Sequence, residues 1–144
     1  MKFNTIDKLF IGEMRAWGVP ALRISLGIVF LWFGLLKVFG VSPVADLVTE
    51  VYLFLPRDFF LMILGIWEAI IGIGLLFKIT LRLMLALLWL QMAGTFFALV
   101  LSPTMFFTNG NLLLLTIEGE FVIKNIVLIT ASIVIGGYEV KSKS

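Results

Sequence analysis

The chain has 144 residues, of which 61% are hydrophobic and 14% charged, with a formal net charge of +2. A chain so apolar at this length is not a soluble domain. It holds neither Cys nor His, which excludes disulfides, thiol chemistry, haem ligation by imidazole and the usual zinc sites, and its dispersed basic residues leave no footprint for nucleic acid.

Four long apolar runs predict an all-α membrane protein, a single domain over residues 1–144. Its architecture is expected to be a four-transmembrane-helix bundle with a short N-terminal amphipathic interfacial helix at residues 1–19. Within 2–18, Phe3, Ile6, Phe10, Met14 and Trp17 recur at spacings of three and four. That pattern is one apolar helix face, suited to lying in the membrane surface. Asp7 and Glu13 precede the first apolar run and no small-x-small cleavage site follows it, so the run is expected to be a retained span.

Span one is expected over about 20–39, opened by Pro20 at its first turn, where proline is tolerated. At about 100° per residue, Arg23, Gly27, Gly34 and Lys37 fall on one stripe, and its glycines allow close approach of a neighbour. Arg23 is expected to snorkel to its interface; for Lys37, snorkelling and burial are both open. In the loop over 41–58, Ser42-Pro43 can start a short helix with Val44, Leu47, Val48, Val51 and Leu55 on one face, ended by Pro56. Such a helix would form a partial lid over the bundle.

Span two, about 59–77, carries a single charge, Glu68, at its midpoint. A carboxylate at that depth costs about 2.5–3.5 kcal/mol on insertion scales and requires a partner, a proton or a watery cavity. Gly65, Ala69 and Gly72 share its face, so Glu68 is expected to look inward. Span three, about 81–101, holds Gln91 at its midpoint, where an amide can bridge helices. Ser102-Pro103 ends it. Asn109-Gly110-Asn111 is a turn signal, and the leucines at 112–115 can begin span four, re-enter the membrane or lie on its surface. Span four is expected over about 119–137, with Glu120 and Lys124 four apart in acid-then-base order.

Lys2, Lys8, Arg15, Lys78, Arg82, Lys141 and Lys143 fall on one side of four spans, with Arg57 on the other. The positive-inside rule then puts both termini in the cytoplasm. In that frame Lys37, Glu68, Gln91, Glu120 and Lys124 are expected to line one funnel opening outward, with Asn125 nearby. Lys37 or Lys124 would neutralise Glu68, and Glu120 would engage the other lysine. Each piece also has a purely structural reading, as an ordinary helical pair, as interhelical glue or as a buried ion pair. Trp32, Trp67 and Trp89 are unusually deep for tryptophan, and Trp32 and Trp89, which point away from the polar stripes, are read as packing or oligomer surface rather than as a platform for a quinone.

Gly34-x-x-Lys37, Gly65-x-Trp67-Glu68-x-x-x-Gly72 and Gly119-x-Phe121-x-x-Lys124-Asn125, in this order over residues 20–138, resemble the DoxX-like superfamily of small four-helix membrane proteins. The resemblance implies a multi-pass protein of the cell membrane, a prokaryotic inner membrane, with Lys37, Glu68 and Lys124 as its site. It also implies a membrane partner of an oxidoreductase or a component of oxidant defence, and admits a quinone as ligand. The residues themselves call for no cofactor, no metal and no catalytic group. Three functions are therefore open: a non-catalytic subunit of a redox or stress assembly, a small-solute or proton-coupled transporter using Glu68, and a structural or lipid-binding membrane protein. The partners expected are the lipid bilayer, an oxidoreductase in the first case, and further copies of the chain.

Overall fold

The computed structural model describes residues 2–142, and the described residues form helices joined by short loops. Among the described residues, four helices are long and apolar enough to cross a membrane. The first, α1 (Lys2–Val38), runs as one helix through Pro20, where the sequence suggests an interfacial helix followed by a separate span. Its 37 residues reach about 55 Å, well beyond the roughly 30 Å of a hydrocarbon layer. Residues 3–18 are all exposed, and burial begins only past Gly18.

From there α1 packs along α3 (Arg57–Phe77) in the most extensive helix contact of the fold. The expected small-residue stripe is the reason. A Cβ built on Gly34 would lie 2.6 Å from the backbone nitrogen of Ala69, and one on Gly72 would lie 2.7 Å from the carbonyl oxygen of Gly27. Only hydrogen fits between these backbones.

A three-residue turn follows α3. Lys78 takes the left-handed conformation at φ 56° and returns its N–H to the Gly74 carbonyl, and Thr80 is also left-handed. The turn sends α4 (Leu81–Leu101) back antiparallel to α3. Ser102 stops α4, and α5 (Pro103–Phe106) begins with proline at its first position, where a missing N–H costs nothing.

The segment after α5 is a small hairpin. Phe107 pairs with Leu115 across a turn in which Asn109 and Gly110 both have positive φ, and Leu112, Leu113 and Leu114 stay exposed. Thr116 caps the next helix: its hydroxyl accepts from the Gly119 N–H at 3.0 Å and donates to the Met105 carbonyl at 2.7 Å. The fourth long helix thus starts at Ile117. A one-residue interruption at Lys124 divides it into α6 (Ile117–Ile123) and α7 (Asn125–Glu139).

α7 closes the ring by packing on both α1 and α4. Leu26, Phe30, Ile71, Leu75, Leu85, Leu88 and Ile135 fill the centre. At the opposite end from the Lys78–Thr80 turn, α2 (Ala45–Val51), in the loop after α1, lies across the bundle. Val51 meets Ala98, Phe106 and Val122 in a second buried cluster, with Leu47 and Tyr52 against it. The expected lid is therefore present, and Val44, Leu47, Val48 and Val51 carry its inner face.

Candidate functional site

Glu68 is buried on the face of α3 that the glycines bring against α1. Both of its carboxylate oxygens are occupied. Lys37 Nζ donates to Oε2 at 2.7 Å, and Gln91 Nε2 donates to Oε1 at 2.5 Å. Lys37 is itself 7% exposed, so the pair is sealed from solvent. The open choice for Lys37 is resolved as burial, because a lysine one helix away from a buried carboxylate gains a charge partner that snorkelling would forfeit. The Gln91 amide must turn its nitrogen to Glu68, since a carboxylate only accepts. Its own Oε1 is then buried with no hydrogen-bond donor among the described residues.

The three side chains sit on the wall of a cavity of about 440 Å³ enclosed by α1, α3, α4 and the α6–α7 helix, with α2 as its roof. That volume is within the range of small-molecule sites. The rest of the lining is almost wholly apolar, with Phe30, Phe33, Trp67, Phe106, Phe121 and Leu128 among it. Trp67 therefore faces the cavity; its indole N–H reaches back to the Leu87 carbonyl at 3.3 Å. Trp89 donates to the hydroxyl of buried Ser132 at 2.7 Å, and Trp32 is exposed on the outside. Asn125 and Thr95 add polar atoms to the lining. Tyr52 fastens the roof by donating to the Gly94 carbonyl at 2.6 Å, and burial pushes its phenol above the ordinary value of 10.0.

Lys37, Glu68, Gln91 and Asn125 thus share one cavity. Glu120 and Lys124 do not. Their side chains are 63% and 74% exposed, 4.0 Å apart on the outside of the bundle. The reason is a change of inward side along the fourth helix. Its α6 part buries Gly119 and Val122 against α5 and α4, whereas its α7 part, packed on α1 and α4, buries Ala131, Ser132 and Ile135. Tracing the Ala131 face back on one uninterrupted wheel carries Glu120 and Lys124 inward, and the real chain changes its inward side between the two halves.

Arg23 also departs from expectation: it is 6% exposed rather than snorkelled. Its Nε is 2.6 Å from Glu139 Oε2, an ion pair by distance without hydrogen-bond angles. Its guanidinium Nη1 donates to the Leu75 and Leu76 carbonyls, the latter at 3.0 Å. Lys78 reaches the other Glu139 oxygen at 3.4 Å. Glu139 lies past the end of the expected span, which is why an apolar-run reading overlooks it. The cluster joins the middle of α1 to the C-terminal ends of α3 and α7, far from the cavity. Among the described residues, no three or more acidic side chains are grouped to hold a metal ion.

In comparisons with known proteins, no family model matches the chain, and neither a curated protein nor a solved structure matches it.

Proposed function

We propose that this is a non-catalytic membrane component that holds an uncharged, lipid-soluble molecule with an oxygenated head, of the quinone kind, in the cavity beside Glu68. The observation that carries the reading is the pairing of a neutralised polar cluster with an otherwise apolar cavity of about 440 Å³. The charges of Lys37 and Glu68 cancel, so an ionic ligand finds no unmatched counter-charge there. Lysine and amide N–H groups suit a carbonyl or hydroxyl head, and the apolar walls suit a ring and tail.

The DoxX-like resemblance supports placing this component in a redox or oxidant-defence assembly at a cell membrane, alongside an oxidoreductase. The basic residues at the end bearing Lys78 and Arg82 support cytoplasmic termini. In that orientation the exposed row Phe3, Ile6, Phe10, Met14 and Trp17 belongs to the cytoplasmic end of α1, where an apolar helix face suits the inner membrane surface. The transporter reading is disfavoured because both Glu68 oxygens are engaged.

The test is titration of the reconstituted protein with a short-chain benzoquinone, read by quenching of Trp67 in a variant whose other tryptophans are replaced by phenylalanine. Saturable quenching is expected, weakened about tenfold or more in Gln91→Leu. Absent saturation, or quenching indifferent to Gln91→Leu, overturns the reading. Proton flux into liposomes that disappears in Glu68→Gln would favour the transporter instead.

A further inference from the structure

We propose that the cavity opens sideways, through a portal between α1 and α6, and that its occupant enters from the surrounding lipid rather than from water. The inference rests on the cavity being a ligand site, and it adds the route and with it the class of ligand.

The seams of the bundle differ in how they are closed. Along α1–α3 the glycines bring backbone against backbone. The α3–α4 seam is bridged by two hydrogen bonds, Trp67 to the Leu87 carbonyl and Gln91 to Glu68, and next to them Tyr52 of the roof packs on Phe60 of α3 and donates to the Gly94 carbonyl of α4. Ile63 and Leu90 line the cavity and are exposed along this seam, but those bonds bridge it. Trp89 and Ser132 join α4 to α7. Above, Val51, Ala98, Phe106 and Val122 are buried together under the lid.

The seam between α1 and the fourth helix is different. It is pinned at one end by Arg23 and Glu139. At the height of the cavity, no hydrogen bond or ion pair joins α1 to α6 among the described residues. Phe33 of α1 and Phe121 of α6 both line the cavity, yet they are 42% and 45% exposed on the outside. A side chain that faces the cavity and the exterior at once marks an opening. Val29 and Leu36, half-buried, continue the rim on α1.

Every one of these rim side chains is a hydrocarbon, and at this depth of a spanning helix the exterior is acyl chain. Water and ions find no hydrogen-bonding partner at such an entrance. A molecule dissolved in the bilayer does not need one. Its head can pass between Phe33 and Phe121 to reach Lys37, Glu68 and Gln91 while a hydrocarbon tail remains in the portal. The ligand class is accordingly a tailed, neutral amphiphile rather than a compact solute.

The chain lacks cysteine, so a single introduced thiol reports access to the cavity without any ligand. Leu64→Cys places it on the α3 wall of the cavity. In phosphatidylcholine liposomes its reaction is compared between an N-alkyl maleimide that partitions into lipid and a charged, water-soluble methanethiosulfonate. Rates are normalised to lipid-facing Ile28→Cys and loop-borne Thr108→Cys. The portal predicts a normalised preference of about tenfold or more for the alkyl reagent, lowered by adding Val29→Trp and raised by adding Phe33→Ala. Equal normalised rates, or a faster charged reagent, overturn it. An alkyl preference that neither rim variant changes also overturns it, and should Val29→Trp fail to fold, Phe33→Ala decides alone. Because no quinone is present, a failed portal and a failed quinone site are told apart.

Discussion

At the scale of single residues, the Glu68 carboxylate is tolerated because each oxygen has its own donor, one charged and one neutral. Removing one partner of a buried ion pair leaves an uncompensated charge and costs about 3–5 kcal/mol, whereas replacing both with apolar groups is often neutral. Lys37→Met is therefore expected to destabilise the protein by that amount, and Lys37→Met with Glu68→Leu to recover most of it, as measured by denaturation in detergent. If the double variant were no more stable than the single one, the ion-pair account would fail. Lys124→Met is the contrasting case. Its ammonium is exposed and 4.0 Å from Glu120, so a change within about ±0.5 kcal/mol is expected.

At the scale of helices, the α1–α3 contact positions the site, because it brings Lys37 across from Glu68. Its closeness depends on Gly27, Gly34, Gly65 and Gly72. At Gly72 the obstructing atoms are backbone atoms of Leu31 and Gly27, which cannot rotate aside. Gly72→Val must push the two helices apart, and overpacking of this kind costs about 1–3 kcal/mol or more. The same variant should weaken the proposed quinone binding along with stability, a joint loss that a melting curve and the Trp67 titration would reveal. Stability equal to that of the unaltered protein would mean that the helices can separate without penalty. The fourth helix makes the complementary point. Its first half packs on α5 and α4 and its second on α1 and α4, so one helix presents different sides to different neighbours along its length.

At the scale of the whole molecule, the bundle is asymmetric along its length. One end is held together by Arg23, Lys78 and Glu139, tying three helices; the other contains the cavity under a roof. Arg23→Leu leaves Glu139, among the described residues, with only the more distant Lys78 and frees two helix-terminal carbonyls. A loss of about 3 kcal/mol or more is expected, read as a lower melting midpoint. A variant that melts with the unaltered protein would show that the ends need no ionic joint.

The sequence by itself determined the membrane class, the four apolar helices and the inward aim of Glu68, because these depend on run length and on local helical spacing. The glycine stripes of α1 and α3 and the lid helix were legible for the same reason. Which basic residue meets Glu68 was not, because Lys37 and Lys124 are equivalent until the helices are arranged in space. Only the tertiary structure chose Lys37, left Lys124 and Glu120 outside, and paired Arg23 with Glu139, a residue far along the chain and beyond the apolar run. Helical periodicity specifies which side of a helix is sticky; the neighbour on that side is decided by packing over the whole bundle.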